Sequence, residues 1–160
     1  MQYWLMKSEP ETFSIDHLAA APKRRTVWDG VRNYQVRNML RDEMKKDDLA
    51  FFYHSSCEVP GVYGTVRIVK AGHPDPSAFD PNSRYFDAES DAAAPTWYSV
   101  EVALESRFET PVTLEQLKAN AAKLGDMPVL RRGNRLSITP VTPQQWRAVL
   151  ALAGWVRTKA

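Results

Sequence analysis

The sequence predicts a mixed α+β fold, a small curved, mainly antiparallel β-barrel or β-sheet with flanking helices. Strands and helices follow one another irregularly, with both short and long connections, so a doubly wound parallel sheet is not expected. No internal repeat or low-complexity segment is present. The chain has 160 residues, 44% of them hydrophobic, which is enough for one domain around a single core. We assign this domain to residues 1–153 and a C-terminal tail to residues 154–160.

Two strands separated by a short helix are predicted near the start of the chain. The aromatic and aliphatic run at 3–6 is typical of a strand, and residues 25–28 predict a second, shorter one. Ser14 is expected to cap a helix that continues to Ala20 and ends before the next proline. An Asp-Gly pair after the second strand predicts a turn.

A longer helix is predicted from about residue 31 to residue 46. Its apolar residues recur at i, i+3, i+4 and i+8, which places them on one side of a helix. These residues are Val36, Met39, Leu40 and Met44. Arg37, Arg41 and Lys45 form a basic ridge beside them. The following segment, residues 49–54, is apolar on both faces and predicts a strand buried from both sides.

The second part of the chain predicts three more strands, two helices and one long loop. The strands are residues 61–71, 98–108 and 136–138, and the helices are residues 113–123 and a last helix capped by Thr142. Pro140 is expected to end the third of these strands. Trp146 on the last helix and Trp4 on the first strand are expected in the core. The loop, residues 72–96, has no periodicity, and loops of that length in compact domains are usually functional or mobile.

Composition and charge exclude several classes of protein. A net charge of +2 excludes a uniformly basic surface but allows a local basic patch. Cys57 is the only cysteine, so no internal disulfide and no cysteine-based zinc site is expected, which suits a reducing compartment. Neither a signal peptide nor a membrane-length apolar run is found. We therefore expect a cytoplasmic monomer, nuclear if the organism is eukaryotic, that does not contact a membrane.

A search for catalytic motifs finds none. The sequence lacks the glycine-rich nucleotide loops, the zinc-protease motif and the serine nucleophile motif. His17, His54 and His73 do not have the spacing of metal ligands. Cys57 and His54 are the candidate nucleophile and base, but side chains three residues apart at a strand end rarely face each other. We assign no catalytic residue, no metal and no cofactor.

Aromatic and basic residues indicate a binding surface instead. Trp28 and Trp97 lie at loop edges, where a ring can either cover the core or form one wall of a ligand pocket. Basic residues form three clusters, at 23–25, along the ridge of the long helix and at 131–135. Each cluster alone is most often a solvated face, but together with exposed aromatics they are typical of a surface that contacts phosphates.

Four sequence strings resemble the EVE domain in their order and spacing. They are YWLMKSEP at 3–10, WDGVRNYQVRN at 28–38, FFYHSS at 51–56 and RLSITP at 135–140. The resemblance covers the chain from about Tyr3 to Leu152. It implies a PUA-like fold, akin to that of the YTH readers of methylated adenine, and a role as a reader of modified bases in DNA or RNA without catalysis.

The same motifs imply a set of site residues. The resemblance places these residues in a base pocket: Lys7, Ser8, Trp28, Asn33, Tyr53, His54, Ser55, Trp97, Leu136 and Ser137. We expect phosphates to be contacted by Arg24, Arg25, Arg32, Arg37, Arg131, Arg132 and Arg135. Alternatives remain open for several of them. Trp28 could cover the core, His54 could be a hydrogen-bonded core residue, Asn33 could cap the helix that follows it, and Lys7, Ser8 and Arg37 could be solvated.

The resulting hypothesis is a non-catalytic domain that holds one flipped base, methylated or hydroxymethylated, in an aromatic-lined pocket. Extruding a base costs a few kcal/mol, and stacking on an aromatic wall returns about 1–3 kcal/mol. Its partner would be DNA or RNA carrying the modified base, and an effector protein is implied because a reader marks a site without processing it. The alternatives are a small-ligand or protein-interaction module using the same pocket and, less favoured, an enzyme acting on modified nucleotides.

Overall fold

A computed structural model describes residues 1–154 of the chain. The strands are β1 (Tyr3–Ser8), β2 (Arg25–Trp28), β3 (Leu49–His54), β4 (Gly61–Pro74), β5 (Tyr98–Thr113) and β6 (Ile138–Val141). The helices are α1 (Ile15–Ala20), α2 (Tyr34–Asn38), α3 (Leu114–Ala119), α4 (Ala121–Leu124) and α5 (Pro143–Leu152). Three 3₁₀ turns lie at Pro22–Arg24, Pro76–Phe79 and Pro128–Leu130, and a π-helical turn, Met39–Glu43, continues α2. Of the predicted tail, residues 155–160 lie outside the described residues.

The six strands form one sheet in the order β2-β5-β4-β3-β1-β6. Only β1 and β3 pair in parallel, and the other four pairings are antiparallel. The predicted mixed α+β architecture with a mainly antiparallel sheet and flanking helices is therefore confirmed.

Of the two predicted forms, a barrel or a curved sheet, the barrel is wrong, because the two edge strands do not pair with each other. β2 and β6 have four residues each, and each is hydrogen-bonded to one neighbour only. The register of β4 against β5 shifts at four places between Val62 and His73. Such bulges bend and twist a sheet. The sheet is thus curved, with a seam left open between its two edges.

The core is divided between the two faces of this sheet. Alternation along β1 and β3 sends Trp4 and Phe52 into one cluster, which also contacts α1 and α2, and Leu5 and Phe51 into the other. The second cluster lies under α3, α4 and α5 and includes Trp146, stacked on Phe51 with ring centroids 4.0 Å apart. β1 and β3 are thus buried on both faces, as predicted for residues 49–54, and the core positions predicted for Trp4 and Trp146 are confirmed.

Helix caps were predicted better than helix lengths. Ser14 and Thr142 cap α1 and α5 as predicted, each accepting a hydrogen bond from a backbone N–H of the first turn. The helix predicted from residue 31 begins only at Tyr34, since the Asn33 side chain accepts from the Val36 N–H at 3.0 Å. Pro140 lies inside β6 instead of ending it, because an edge strand tolerates a residue without an N–H group.

The predicted loop at 72–96 is tied to the rest of the fold through Asp75. Its carboxylate is fully buried and accepts hydrogen bonds from the Gly30 N–H, the Arg32 guanidinium and Ser77, all within 2.7–2.9 Å. Burial opposes the charged form, but the hydrogen bonds from Ser77, Arg32 and Gly30 outweigh it and lower the pKa of Asp75.

No helix within residues 1–154 combines the length and the apolar character needed to cross a lipid bilayer.

Candidate functional site

A cavity of about 520 Å³ lies at the open seam of the sheet. It is lined from one edge by 26–28 of β2, and from the other by Lys7 and Ser8 at the end of β1 and Ser137 just before β6. The turn at 29–32 and the loop residues Arg84 and Tyr85 complete much of the wall. Its volume falls in the range of about 300–1,000 Å³ that is usual for small-ligand sites. The curvature that brings the two edges together therefore also creates the cavity.

Trp28 belongs to the core and to the cavity wall at once. Its side chain is only 8% exposed and meets the Phe52 ring edge-on, with centroids 5.5 Å apart and planes at 82°. It also lines the cavity. The two alternatives left open by the sequence, core cover and pocket wall, are therefore compatible.

Lys7 and Asp29 place charges of opposite sign in the cavity wall, which also contains Glu9, Arg32 and Arg84. Lys7 is half-buried, and its burial lowers the pKa of its ammonium group. Its side chain forms no ion pair among residues 1–154. Partial desolvation, together with the carboxylate of Asp75, raises the pKa of Asp29. The cavity thus offers a cationic hydrogen-bond donor and a carboxylate acceptor.

The backbone at the seam is fixed by local hydrogen bonds. The Lys7 N–H donates to the Ser137 carbonyl at 2.8 Å, which joins the end of β1 to the segment before β6. The Ser8 hydroxyl donates to the Phe13 carbonyl at 2.6 Å. The proton of the Ser8 hydroxyl is therefore engaged within the protein, and its oxygen remains as an acceptor.

Arg32 and Tyr85 form a rigid part of the wall. The Arg32 guanidinium donates to Asp75 and to the carbonyls of Val31 and Tyr85. It also lies 5.7 Å from the Tyr85 ring centroid. Gly30 has a φ of +76°, and a Cβ there would lie 2.6 Å from the Tyr85 ring, so this turn requires glycine.

Four of the ten predicted pocket residues line the cavity, namely Lys7, Ser8, Trp28 and Ser137. Asn33 caps α2 instead. Tyr53 points into the second core cluster, and burial raises the pKa of its hydroxyl to about 12. Its place follows from strand alternation, since neighbours along β3 face opposite sides of the sheet.

His54 is a buried, hydrogen-bonded residue next to the cavity wall. Its Nε2 accepts from the Ile15 N–H at 3.1 Å, and its ring stacks on Tyr63 with centroids 3.9 Å apart. Burial lowers its pKa, so the neutral ring that this acceptor role requires is favoured. Its Nε2 lone pair, which a base opposite Cys57 would need, is thus already engaged.

The remaining three predicted pocket residues lie around the cavity without lining it. The Ser55 N–H donates to the Ser8 carbonyl at 3.0 Å, and Leu136 packs on the first core cluster. Trp97 is buried, its indole N–H donates to Asp87 at 2.9 Å, and its ring lies 5.2 Å from the Arg32 guanidinium.

The predicted phosphate contacts divide into engaged and free arginines. Arg32 pairs with Asp75, Arg131 pairs with Asp126 through two 2.9 Å hydrogen bonds, and Arg37 donates to the Thr96 carbonyl at 2.7 Å. Four others are exposed and form no ion pair within residues 1–154: Arg24, Arg25, Arg132 and Arg135. Arg25 immediately precedes the cavity-lining part of β2, and Arg135 lies two residues before Ser137.

Sequence reasoning missed Asp29, Arg84 and Tyr85, which all line the cavity. Asp29 stands within one of the four family-like strings, and the adjacent basic and aromatic pair at 84–85 stands within the loop suspected of a function. Arg84 lies over the Tyr85 ring, 4.9 Å from its centroid. Within residues 1–154, no group of three or more His, Cys, Asp or Glu side chains is arranged to hold a metal ion.

Comparison with known proteins finds one domain family and related sequences that match nearly the whole chain. The sequence profile of the EVE domain matches residues 2–152. Thymocyte nuclear protein 1 of Homo sapiens is 42% identical over 166 residues, which cover 94% of this chain and 73% of the relative. The rat protein of the same name is 41% identical over the same shares of the two chains.

Solved structures show the same fold. The crystal structure of human THYN1 in complex with DNA containing 5-methylcytosine has a TM-score of 0.90 and 40% identity, and the match covers 98% of this chain and 99% of that one. A crystal structure of a protein from Pseudomonas putida has a TM-score of 0.88 and 48% identity, with 94% and 99% covered.

Proposed function

Because the chain belongs to the EVE domain family, we propose that it binds DNA carrying a modified base and holds that base, extruded from the helix, in the seam cavity. One observation carries this proposal: a relative with the same fold over nearly its full length was crystallised with DNA containing 5-methylcytosine. The domain reads the base without catalysing a reaction on it.

The cavity has an aromatic wall on which a base can stack. Trp28 is held edge-on by Phe52 and cannot be displaced without disturbing the core. Stacking on such a ring is worth about 1–3 kcal/mol, which offsets much of the few kcal/mol needed to extrude a base. A preformed wall also reduces the conformational entropy lost on binding.

The polar groups of the cavity match the edge of a cytosine. The amino group of cytosine is a donor that a carboxylate can accept, and Asp29 provides one in the wall. The ring nitrogen and carbonyl of cytosine are acceptors that suit the Lys7 ammonium. Ser8 and Ser137 add short polar side chains at the same end of the cavity.

The exposed arginines next to the seam would contact the DNA backbone. Arg25 and Arg135 flank the cavity along the chain, and Arg84 lies in its wall. Contacts of this kind position a duplex without distinguishing its sequence. Preference for a methyl group would be modest, because burying one methyl is worth about 0.8 kcal/mol, or roughly fourfold.

The proposal is tested by measuring the affinity of duplexes that differ at one base. Fluorescence anisotropy would compare cytosine, 5-methylcytosine and 5-hydroxymethylcytosine, in DNA and in RNA of the same sequence. Ser137→Phe would place a bulky ring in the cavity and leave the basic surface unchanged. Ala119→Phe is the matched control, since it adds the same ring at an exposed position of α3, on the other face of the sheet.

We expect a preference for a modified DNA duplex that Ser137→Phe abolishes and Ala119→Phe retains. Equal binding of all duplexes by the three proteins would contradict a base in the cavity and leave only a basic surface. Preference for the RNA would reassign the partner. Absence of nucleic-acid binding would favour a small-ligand or protein-interaction module.

A further inference from the structure

A row of stacked side chains connects the cavity to an exposed tyrosine. Tyr34, the first residue of α2, is 61% exposed, although its ring stacks on Trp97 with centroids 5.0 Å apart and planes at 27°. The Trp97 ring in turn lies against the Arg32 guanidinium, and its centroid is 5.2 Å from the guanidinium carbon of Arg32. Arg32 and its neighbour Tyr85 line the cavity. Tyr34 is therefore separated from the cavity wall by two stacked contacts.

The row is held rigidly below its exposed end. The Trp97 indole N–H is fixed by Asp87 at 2.9 Å, and Arg32 is fixed by the buried carboxylate of Asp75 at 2.9 Å. Tyr34 follows Asn33, whose side chain caps α2. A ring on such a support loses little conformational entropy when a partner stacks on it.

The surroundings of Tyr34 are polar and cationic. Asn33, Gln35 and Asn38 are exposed around it, and the Arg37 guanidinium lies over part of its ring, with the guanidinium carbon 5.2 Å from the ring centroid. Protein interfaces that depend on apolar burial need a contiguous apolar patch, and this ring stands among polar side chains. A single planar ring beside an arginine is instead the combination that binds a nucleobase and its phosphate.

We propose that Tyr34 is a stacking platform for a nucleotide adjacent to the extruded base in the same strand. The inference rests on the proposed function and adds a second contact to it. The extruded base occupies the cavity, the backbone leaves along the wall of Arg32 and Tyr85, and the neighbouring base stacks on Tyr34. Arg37 lies beside its phosphate, since its hydrogen bonds to the Thr96 carbonyl and to Asn38 use Nη1 and Nε and leave its charge unpaired within the described residues.

Variants of Tyr34 separate stacking from other contributions. On a 5-methylcytosine duplex, Tyr34→Ala should lower the affinity between about 5-fold and 150-fold, the range for loss of one base stack. Tyr34→Phe keeps the ring and should bind within about twofold of wild type. Tyr34→Leu keeps apolar surface without an aromatic face and should lose as much as Tyr34→Ala. Because Tyr34 is exposed, all three variants should remain folded; Tyr34→Phe should unfold at the wild-type denaturant midpoint, and Tyr34→Ala and Tyr34→Leu slightly and equally below it, through the lost stack on Trp97.

A second DNA series tests which group stacks on the ring. Duplexes with an abasic site on the 5′ or the 3′ side of 5-methylcytosine remove one neighbouring base at a time. Wild type and Tyr34→Ala should bind with equal affinity to the duplex that lacks the base stacked on Tyr34. Equal affinity of wild type and Tyr34→Ala for the intact duplex would overturn the inference, and so would full binding by Tyr34→Leu.

The two proposals fail in different ways. If wild type prefers the modified duplex and Ser137→Phe abolishes the preference, but Tyr34→Ala has no effect, only the platform is overturned. If wild type does not bind the modified duplex at all, both the cavity function and the platform are overturned.

Discussion

At the scale of single residues, Trp28 contributes to stability and to the proposed binding at the same time. Its ring is 8% exposed and packs against Phe52, so Trp28→Ala should lower the free energy of unfolding by about 3–5 kcal/mol. Denaturant titration measures this directly. Trp28→Phe keeps an aromatic wall and should lose less stability, which makes it the better variant for binding studies. A loss below about 1 kcal/mol for Trp28→Ala would show that the ring does not support the core.

Unlike Trp28, Lys7 should favour DNA binding while it lowers the stability of the fold. Burial lowers the pKa of its ammonium below the ordinary value of 10.5, so the protonated form is less favourable in the folded chain than in the unfolded one. This unfavourable contribution to stability is present in full at neutral pH, declines as the pH rises through the lowered pKa of the folded chain, and is gone above 10.5. Lys7→Met should therefore raise the denaturation midpoint at pH 7.

The same substitution should weaken binding of the modified duplex. A hydrogen bond from a charged group is worth about 1.5–3 kcal/mol, so we expect a loss of roughly 10-fold to 150-fold in affinity. Denaturant titration and anisotropy on one preparation give both numbers. If Lys7→Met lowered stability and left affinity unchanged, Lys7 would be a structural residue and not a ligand-binding one.

At the scale of structural elements, Asp75 fixes the turn at 29–32 to the end of β4. Removing one partner of a buried ion pair lowers the free energy of unfolding by about 3–5 kcal/mol. Because a quarter of the Arg32 side chain is exposed, the loss caused by Asp75→Ala should lie at or below the lower end of that range. The pKa of Asp75 is lower in the folded chain than its ordinary value of 3.8. Its contribution is thus present above pH 3.8 and declines as the pH falls below it.

Denaturant titrations between pH 7 and pH 3 test this role of Asp75. The wild type should lose stability steeply below about pH 4, and Asp75→Ala, already less stable, should show a flatter decline there. Parallel curves for the two proteins would show that Asp75 is not the group that titrates.

The elements themselves were largely predictable, because their signals are local. β2 was predicted at its observed limits, and the caps of α1 and α5 were predicted from Ser14 and Thr142. Asn33 shows the limit of such reasoning. Its type suits both a helix cap and a polar pocket, and only the position of the Val36 N–H shows which role it has.

The site was less predictable, because its residues converge through the curvature of the sheet. Tyr53 and His54 stand in a family-like string with Ser55, yet alternation along β3 directs them to opposite faces. Arg84 and Tyr85 reach the cavity from the long loop, whose path depends on the buried Asp75. Nothing in the local sequence specifies that path.

At the scale of the whole molecule, binding should depend on salt through the exposed arginines. The logarithm of the affinity for duplex DNA falls linearly with the logarithm of the salt concentration, with a slope of about −0.9 for each phosphate contacted. Arg25→Ala and Arg135→Ala should each reduce the size of this slope by about 1. These two side chains are free of ion pairs within the described part of the chain.

Arg131→Ala is the matched control for this series. Its guanidinium is already paired with Asp126 through two 2.9 Å hydrogen bonds, so its loss should change the slope less. Equal slopes for wild type, Arg25→Ala and Arg135→Ala would contradict a DNA path along the seam.

The open seam connects the architecture to the proposed function. A closed barrel of the same strands would fill its interior with side chains. Here the short edge strands β2 and β6 leave a gap, and that gap is the cavity.

The most direct test of this arrangement asks whether the base leaves the helix when the protein binds. Two duplexes carry a 2-aminopurine on the 5′ or the 3′ side of 5-methylcytosine, where it is quenched by stacking and becomes brighter when its neighbour is extruded. The proposed stack on Tyr34 can quench the probe on one side only, so saturating wild-type protein should raise the fluorescence of at least one duplex, and Ser137→Phe, with a ring placed in the cavity, should raise neither. An unchanged signal from both duplexes when they are fully bound by wild-type protein would show that the modified base stays in the stack, and would contradict a base in the cavity.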